Sequence, residues 1–168
     1  IHPQAALPKY YSETFVAAAK KAPPVRNPDA PAANRKAVLY ATCFVNYNNP
    51  GIGKAAQYVL AQNGVETRVD YPGCCGMPQL EQGDLADVAA KARHVASEMS
   101  SLIDEGNTIV ALTPSCALML KFEWPLLLPD DDSVAKLAAA TIDITEYVVY
   151  IARKDGLAEG LGPLEGGI

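Results

Sequence analysis

Three short strand-forming stretches, each followed by a stretch with helical periodicity, set the pattern of this chain. The first, Lys36 to Ala41, reads as a buried strand, because Ala37-Val38-Leu39-Tyr40-Ala41 is apolar without alternation. Thr42-Cys43 and a polar turn from Asn46 to Gly51 follow. A helix is then predicted from about Ile52 to Gln62, with Ile52, Ala55, Ala56, Val59 and Leu60 on one face and Asn63-Gly64 as its stop. The second run, Val65 to Tyr71, leads into Pro72-Gly73-Cys74-Cys75-Gly76-Met77-Pro78. Asp84 caps a long helix over Leu85 to Asp104, where Val88, Ala92, Val95, Met99, Leu102 and Ile103 recur at helical spacing before Gly106. The third run, Thr108 to Leu112, leads to Thr113-Pro114-Ser115-Cys116. Thr113 or Ser115 can cap a helix from about Ala117 to Glu123 that stops before Pro125. Two more helices fit the remainder, Asp132 to about Ala140 and Ile144 to about Lys154. Asp130-Asp131-Asp132 puts negative charge where the first of these has its positive dipole end.

Strand, loop and helix thus recur three times in one order, the pattern of βαβ units. The predicted fold is α/β, a three-layer Rossmann-like domain with a small parallel sheet. The flanks differ. Pro3, Pro8, Pro23, Pro24, Pro28 and Pro31 crowd residues 1–35, which read as a linker with one short helix. That helix runs from Ser12 as N-cap through Phe15, Val16 and Ala19 to Lys21, and Pro23-Pro24 stops it. Residues 36–156 form the expected domain, and 157–168 a glycine-rich linker or tail. Because the sequence opens at Ile1 inside what reads as connecting sequence, a piece of a longer protein is expected.

Composition narrows the function. With 168 residues and 49% hydrophobic content the chain suits one globular domain, and no apolar run is long enough for a membrane-spanning helix. Fourteen Lys and Arg against 19 Asp and Glu give a net charge of −5 without a basic patch, which argues against nucleic acid as a partner. No signal peptide is visible. The four cysteines, Cys43, Cys74, Cys75 and Cys116, are not needed as staples in a domain of this size, which favours metal or redox chemistry in a reducing, cytoplasmic compartment.

Each cysteine site falls just after a predicted strand and before a helix. A parallel sheet brings all such ends to one edge, the edge where open α/β sheets bind ligands. Helix N-termini on that edge favour thiolates. Isolated buried cysteines, a secreted disulfide pair, a Cys₄ zinc site and a polynuclear cluster all fit four cysteines in principle. Adjacent Cys74 and Cys75 chelate one ion poorly and fit better where two metal atoms are available, so an iron–sulfur centre leads and zinc is the alternative.

Other features weigh less. Gly51-Ile52-Gly53-Lys54 lacks the spacing and the Ser or Thr of a phosphate loop. His94 shares a polar helix face with Lys91, Arg93 and Glu98, and His2 lies in the linker. Tyr40, Tyr47 and Trp124 read as packing residues, with Tyr47 near enough to Cys43 to reach a sulfur.

Cys43-Phe44-Val45-Asn46-Tyr47-Asn48, the Cys74-Cys75-Gly76 triplet and Pro114-Ser115-Cys116 together resemble the cysteine-rich CCG domain over about Lys36 to Pro129. That domain occurs in heterodisulfide reductase, in the iron–sulfur subunit of glycolate oxidase and in anaerobic glycerol-3-phosphate dehydrogenase. The wording around Cys43 is most similar to the first of two tandem domains in the last type. The resemblance implies that Cys43, Cys74, Cys75 and Cys116 ligate a [4Fe-4S] cluster, non-cubane in the best-defined members. It implies electron transfer for a larger flavin-linked oxidoreductase, with substrate oxidised on another chain. The implied partners are a ferredoxin-like module and a second CCG domain of the same chain, and a flavoprotein dehydrogenase subunit. The implied location is cytoplasmic, with a peripheral position at the inner face of the membrane as a variant. The full motif ends Cys-x-x-Cys, whereas here Met119 follows Cys116-Ala117-Leu118. Four thiolates still suffice for one ordinary cluster or one zinc, but the fifth ligand of the non-cubane arrangement is missing. A metal-free structural module is the remaining alternative, and Met119 is expected in the core.

Overall fold

A computed structural model describes residues 8–160, so His2 and the tail beyond Gly160 lie outside the described residues. The strands β1 (Lys36–Tyr40), β2 (Glu66–Asp70), β3 (Thr108–Ala111) and β4 (Thr141–Asp143) form one all-parallel sheet in the order β2-β1-β3-β4. The helices are α1 (Phe15–Lys21), α2 (Pro50–Gln62), α3 (Met77–Glu81), α4 (Leu85–Asp104), α5 (Pro114–Leu118), α6 (Trp124–Leu127), α7 (Asp132–Ala140) and α8 (Ile144–Lys154). Alternation along the strands splits the core in two. Val38, Tyr40, Ile109 and Ala111 face Val88, Ala92, Val95 and Met99 of α4 and Val134 and Leu137 of α7. Ala37, Leu39 and Val110 face Phe15 of α1, Leu60 of α2, and Tyr147 and Ile151 of α8. The expected three-layer α/β architecture is therefore present, with α4 and α7 on one face and α1, α2 and α8 on the other.

Several local expectations are corrected. Thr14, not Ser12, caps α1, its Oγ1 accepting from Ala17 N–H at 3.2 Å. α2 starts at Pro50, two residues early, because proline is preorganised for the first helical turn. Its buried face is Gly53, Gln57, Leu60 and Ala61, while Ile52 and Val59 are exposed. The reason is Gly53: a Cβ there would sit 2.6 Å from the Phe15 ring, so only glycine lets α1 lie this close. The supposed polar turn is a wide π-helical turn, Phe44–Asn48. A second one, Met119–Glu123, links α5 to α6, so the chain stays helical past Pro125. The proline is tolerated because it falls in the first turn of the restarted helix. β4 and α3 are additional elements, too short to leave a periodic signal. Asp131 caps α7 as the aspartate cluster suggested, accepting from Ser133 and Val134.

On the amino edge of the sheet, Arg35, just before β1, forms a two-pronged ion pair with Asp155, just after α8. The Asn63 side chain accepts from Ala158 N–H at 2.9 Å beside it. No helix among the described residues is long and apolar enough to cross a membrane.

Candidate metal centre

In a sheet of order β2-β1-β3-β4 the chain winds outward in both directions from β1 and β3, and the crevice between their carboxyl ends is the natural ligand site. Cys43 follows β1, Cys116 follows β3, and Cys74-Cys75 follows β2. Thr42 and Thr113 close the floor of the crevice with a 2.8 Å hydrogen bond between their hydroxyls. All four predicted cysteines meet there. The Sγ atoms of Cys43 and Cys74 are 3.8 Å apart, and those of Cys75 and Cys116 are 3.2 Å apart. Cys75 and Cys116 are buried, Cys43 and Cys74 half-buried.

The loop carrying Cys74 and Cys75 is pinned by side chains that sequence reasoning assigned only to packing or to a polar face. Buried Tyr40 donates its hydroxyl to the Gly73 carbonyl at 2.6 Å. Buried Trp124 donates Nε1–H to the Cys75 carbonyl at 3.1 Å. His94, exposed on α4, donates Nε2–H to the Pro72 carbonyl at 3.2 Å. Their polar tips were the available signal, since a buried Tyr or Trp needs a partner. Tyr47 packs edge-on against Tyr71, ring centroids 5.7 Å apart. Met119 is fully buried in the same core as Cys75 and Cys116.

Gly76 turns the loop into α3 with φ +81°, a left-handed conformation. An alanine there meets no serious clash, its Cβ 3.4 Å from the flexible Lys91 side chain, but it adopts this φ poorly. Gly76→Ala is expected to destabilise the protein by about 1–2 kcal/mol in denaturant unfolding, from backbone strain alone.

The thiols polarise one another. Cys74 is held far below the ordinary thiol range, first by the hydrogen bond from Cys43 and then by one from Cys75. The Gly76 N–H, 3.5 Å from its sulfur, and the Lys91 charge act in the same direction. Cys43 is correspondingly pushed up, chiefly because its proton is shared with Cys74. Cys75 is pushed up by donating to Cys116, which is lowered for the same reason. Within each pair one thiol is thus favoured to hold the proton and the other to lose it.

The family of the cysteine-rich domain, CCG, matches residues 37–121, half of the chain and all four cysteines. The chain belongs to this family. The cysteine-rich domain is also similar to the lactate utilization protein A of Bacillus velezensis, 32% identical over 123 residues, 69% of this chain and 49% of the relative. The Bacillus subtilis protein of that name is 31% identical over 123 residues, with the same coverage. That of a Geobacillus species is 29% identical over 133 residues, 75% of this chain and 53% of the relative. The chain spans about half the length of these relatives. No solved structure gives a significant match.

The donor set of the cysteine-rich domain fits a thiolate-bound centre: four sulfurs in one crevice, with backbone N–H groups aimed at them. Among the described residues no three His, Cys, Asp or Glu side chains surround one point as a lone ion requires. The sulfurs lie in two close pairs, 3.8 and 3.2 Å apart, and the tighter pair must open for either a cluster or an ion to be held by all four.

In the metal-free domain the two pairs predict a pH profile. Cys74 and Cys116, lowered on folding, leave the unfolded chain holding more protons through acid and neutral pH, so stability rises with pH there. Cys43 and Cys75, raised on folding, reverse the slope above the unfolded thiol value of about 8.5. Thermal melting under reductant and chelator should peak near that value, and the peak should vanish in a variant lacking the four thiols.

Proposed function

We propose that this cysteine-rich domain is the iron–sulfur electron-transfer unit of a larger flavin-linked oxidoreductase and does not itself act on substrate. The observation that supports it is the convergence of four cysteine sulfurs, from three strand ends, in the crevice at the carboxyl edge. Cys43, Cys74, Cys75 and Cys116 would hold a [4Fe-4S] cluster, which supplies one-electron storage when bound. The protein keeps two thiols dry beneath the loop and leaves Cys43 and Cys74 half-open, the side from which electrons enter or leave. Amide N–H groups of Phe44, Gly76 and Met77 face the sulfurs and stabilise their negative charge.

The relatives are named for lactate utilization, which favours a 2-hydroxy acid over glycerol phosphate as the reductant of the whole system. Partners on this reading are a ferredoxin-like module and a second cysteine-rich domain of the same longer chain, and a flavoprotein dehydrogenase subunit, at a cytoplasmic site. One observation favours a zinc reading. A tetrahedral zinc–thiolate site with bonds of about 2.3 Å sets sulfurs about 3.8 Å apart, the spacing of Cys43 and Cys74.

Anaerobic reconstitution with iron and sulfide separates the two. Broad visible absorption that bleaches on reduction, with a paramagnetic resonance signal, is expected. Stoichiometric zinc in freshly purified protein, with no absorption after reconstitution, would overturn the iron–sulfur reading.

A further inference from the structure

We propose that the metal-free site is a dithiol–disulfide centre of fixed pairing, in which Cys43 bonds Cys74 and Cys75 bonds Cys116. Pairing is set by geometry and holds whichever metal the loaded site carries. The sulfurs of Cys75 and Cys116 stand 3.2 Å apart and those of Cys43 and Cys74 3.8 Å apart. A disulfide needs about 2.05 Å, so each pair has only about 1–2 Å to close. A bond between neighbouring Cys74 and Cys75 would have to distort the peptide joining them. That peptide is clamped on both sides, by Tyr40 on the Gly73 carbonyl and Trp124 on the Cys75 carbonyl.

The two pairs differ in access. Cys43 and Cys74 are half-buried, whereas Cys75 and Cys116 are only 3% and 5% exposed. The outer pair therefore reacts first, its thiolate attacking a low-molecular-weight disulfide. Cys74 takes one half of the reagent as a mixed disulfide, and Cys43 displaces it. The protein pair loses two electrons and two protons, and the reagent leaves as two thiols. The inner pair closes more slowly, in the same stoichiometry with a second molecule of oxidant. With both bonds formed no thiolate remains to bind a metal, so oxidation shuts the site and reduction reopens it.

The test uses metal-free protein, reduced and then titrated with oxidised glutathione. Expected are a mass loss of two hydrogens per bond, formed in two phases, and loss of iron uptake until dithiothreitol restores it. Because Cys74 and Cys75 share one tryptic peptide, single variants assign the pairs. Cys74→Ser should link Cys75 to Cys116 and leave Cys43 free, and Cys75→Ser should link Cys43 to Cys74 and leave Cys116 free. A Cys74–Cys75 bond, a Cys43–Cys75 bond in the first variant, dimers, or glutathione adducts on the wild type that never resolve would overturn the proposal. Iron binding by the reduced protein is measured separately, so failure here and failure of the cluster reading are distinguishable.

Discussion

Cys75→Ser protein, reconstituted anaerobically with iron and sulfide, is expected to lose essentially all the visible absorption of the wild type while keeping its circular dichroism. On the proposed iron–sulfur reading, Cys75 is the ligand whose loss should matter most. It is buried beside Cys116, in contact with Cys74, and its carbonyl is held by Trp124. A serine hydroxyl occupies nearly the same volume but stays protonated where the thiol can ionise, and it is a far weaker ligand for iron. The fold has little reason to respond. Helix α4 supports the loop through Val88 and Val95, and the Trp124 and Tyr40 bonds go to backbone carbonyls that the substitution leaves in place. Unfolding curves of the metal-free forms should shift by no more than about 1–3 kcal/mol, the penalty of a buried hydroxyl short of partners. Cluster formation at wild-type yield in this variant would remove Cys75 from the ligand set.

Phe15→Ala is expected to have the largest effect on stability, about 3–5 kcal/mol in denaturant titration. That is a large share of the roughly 5–15 kcal/mol that holds such a domain together. Phe15 is fully buried on the face of the sheet opposite α4, packed with Leu39, Val45 and Leu60, and its ring fills the space left by Gly53. Its loss should reach the centre as well. The Val16 N–H donates to Asn46 Oδ1 at 3.1 Å and the Tyr11 N–H to the Tyr47 carbonyl at 2.9 Å. Both acceptors lie in the π-helical turn that starts beside Cys43. Reconstituted Phe15→Ala protein should therefore release iron to a chelator faster than wild type, where a chemically silent core mutation would only lower the melting temperature. An unfolding midpoint within error of wild type would show that the proline-rich segment rests on the domain without supporting it.

What the sequence made legible was long or chemically rare. Strands β1 and β3 are unbroken apolar runs, α4 repeats its buried residues over five turns, and cysteines are few enough to stand out. Topology then brought the four sulfurs together. The π-helical turns were illegible because Phe44–Asn48 and Met119–Glu123 carry no residue peculiar to a wide turn. The rotated face of α2 was illegible for a different cause. Gly53 has no side chain to count in a periodicity, yet its missing Cβ decides which way the helix rolls. Tyr40 and Trp124 were read as bulk because hydrophobic pattern registers their rings, while their roles at the centre rest on one polar atom each.

The clasp between Arg35 and Asp155 has a consequence for how such a unit enters larger proteins. It brings the chain's path into β1 and its path out of α8 side by side, on the edge of the sheet remote from the sulfurs. A unit whose doorway in and doorway out adjoin can be spliced into another polypeptide, or copied in series, as a self-contained cassette. The cysteine crevice would then keep its shape wherever the segment carrying α1 travels with the unit, since Phe15 and the Val16–Asn46 bond brace the turn beside Cys43.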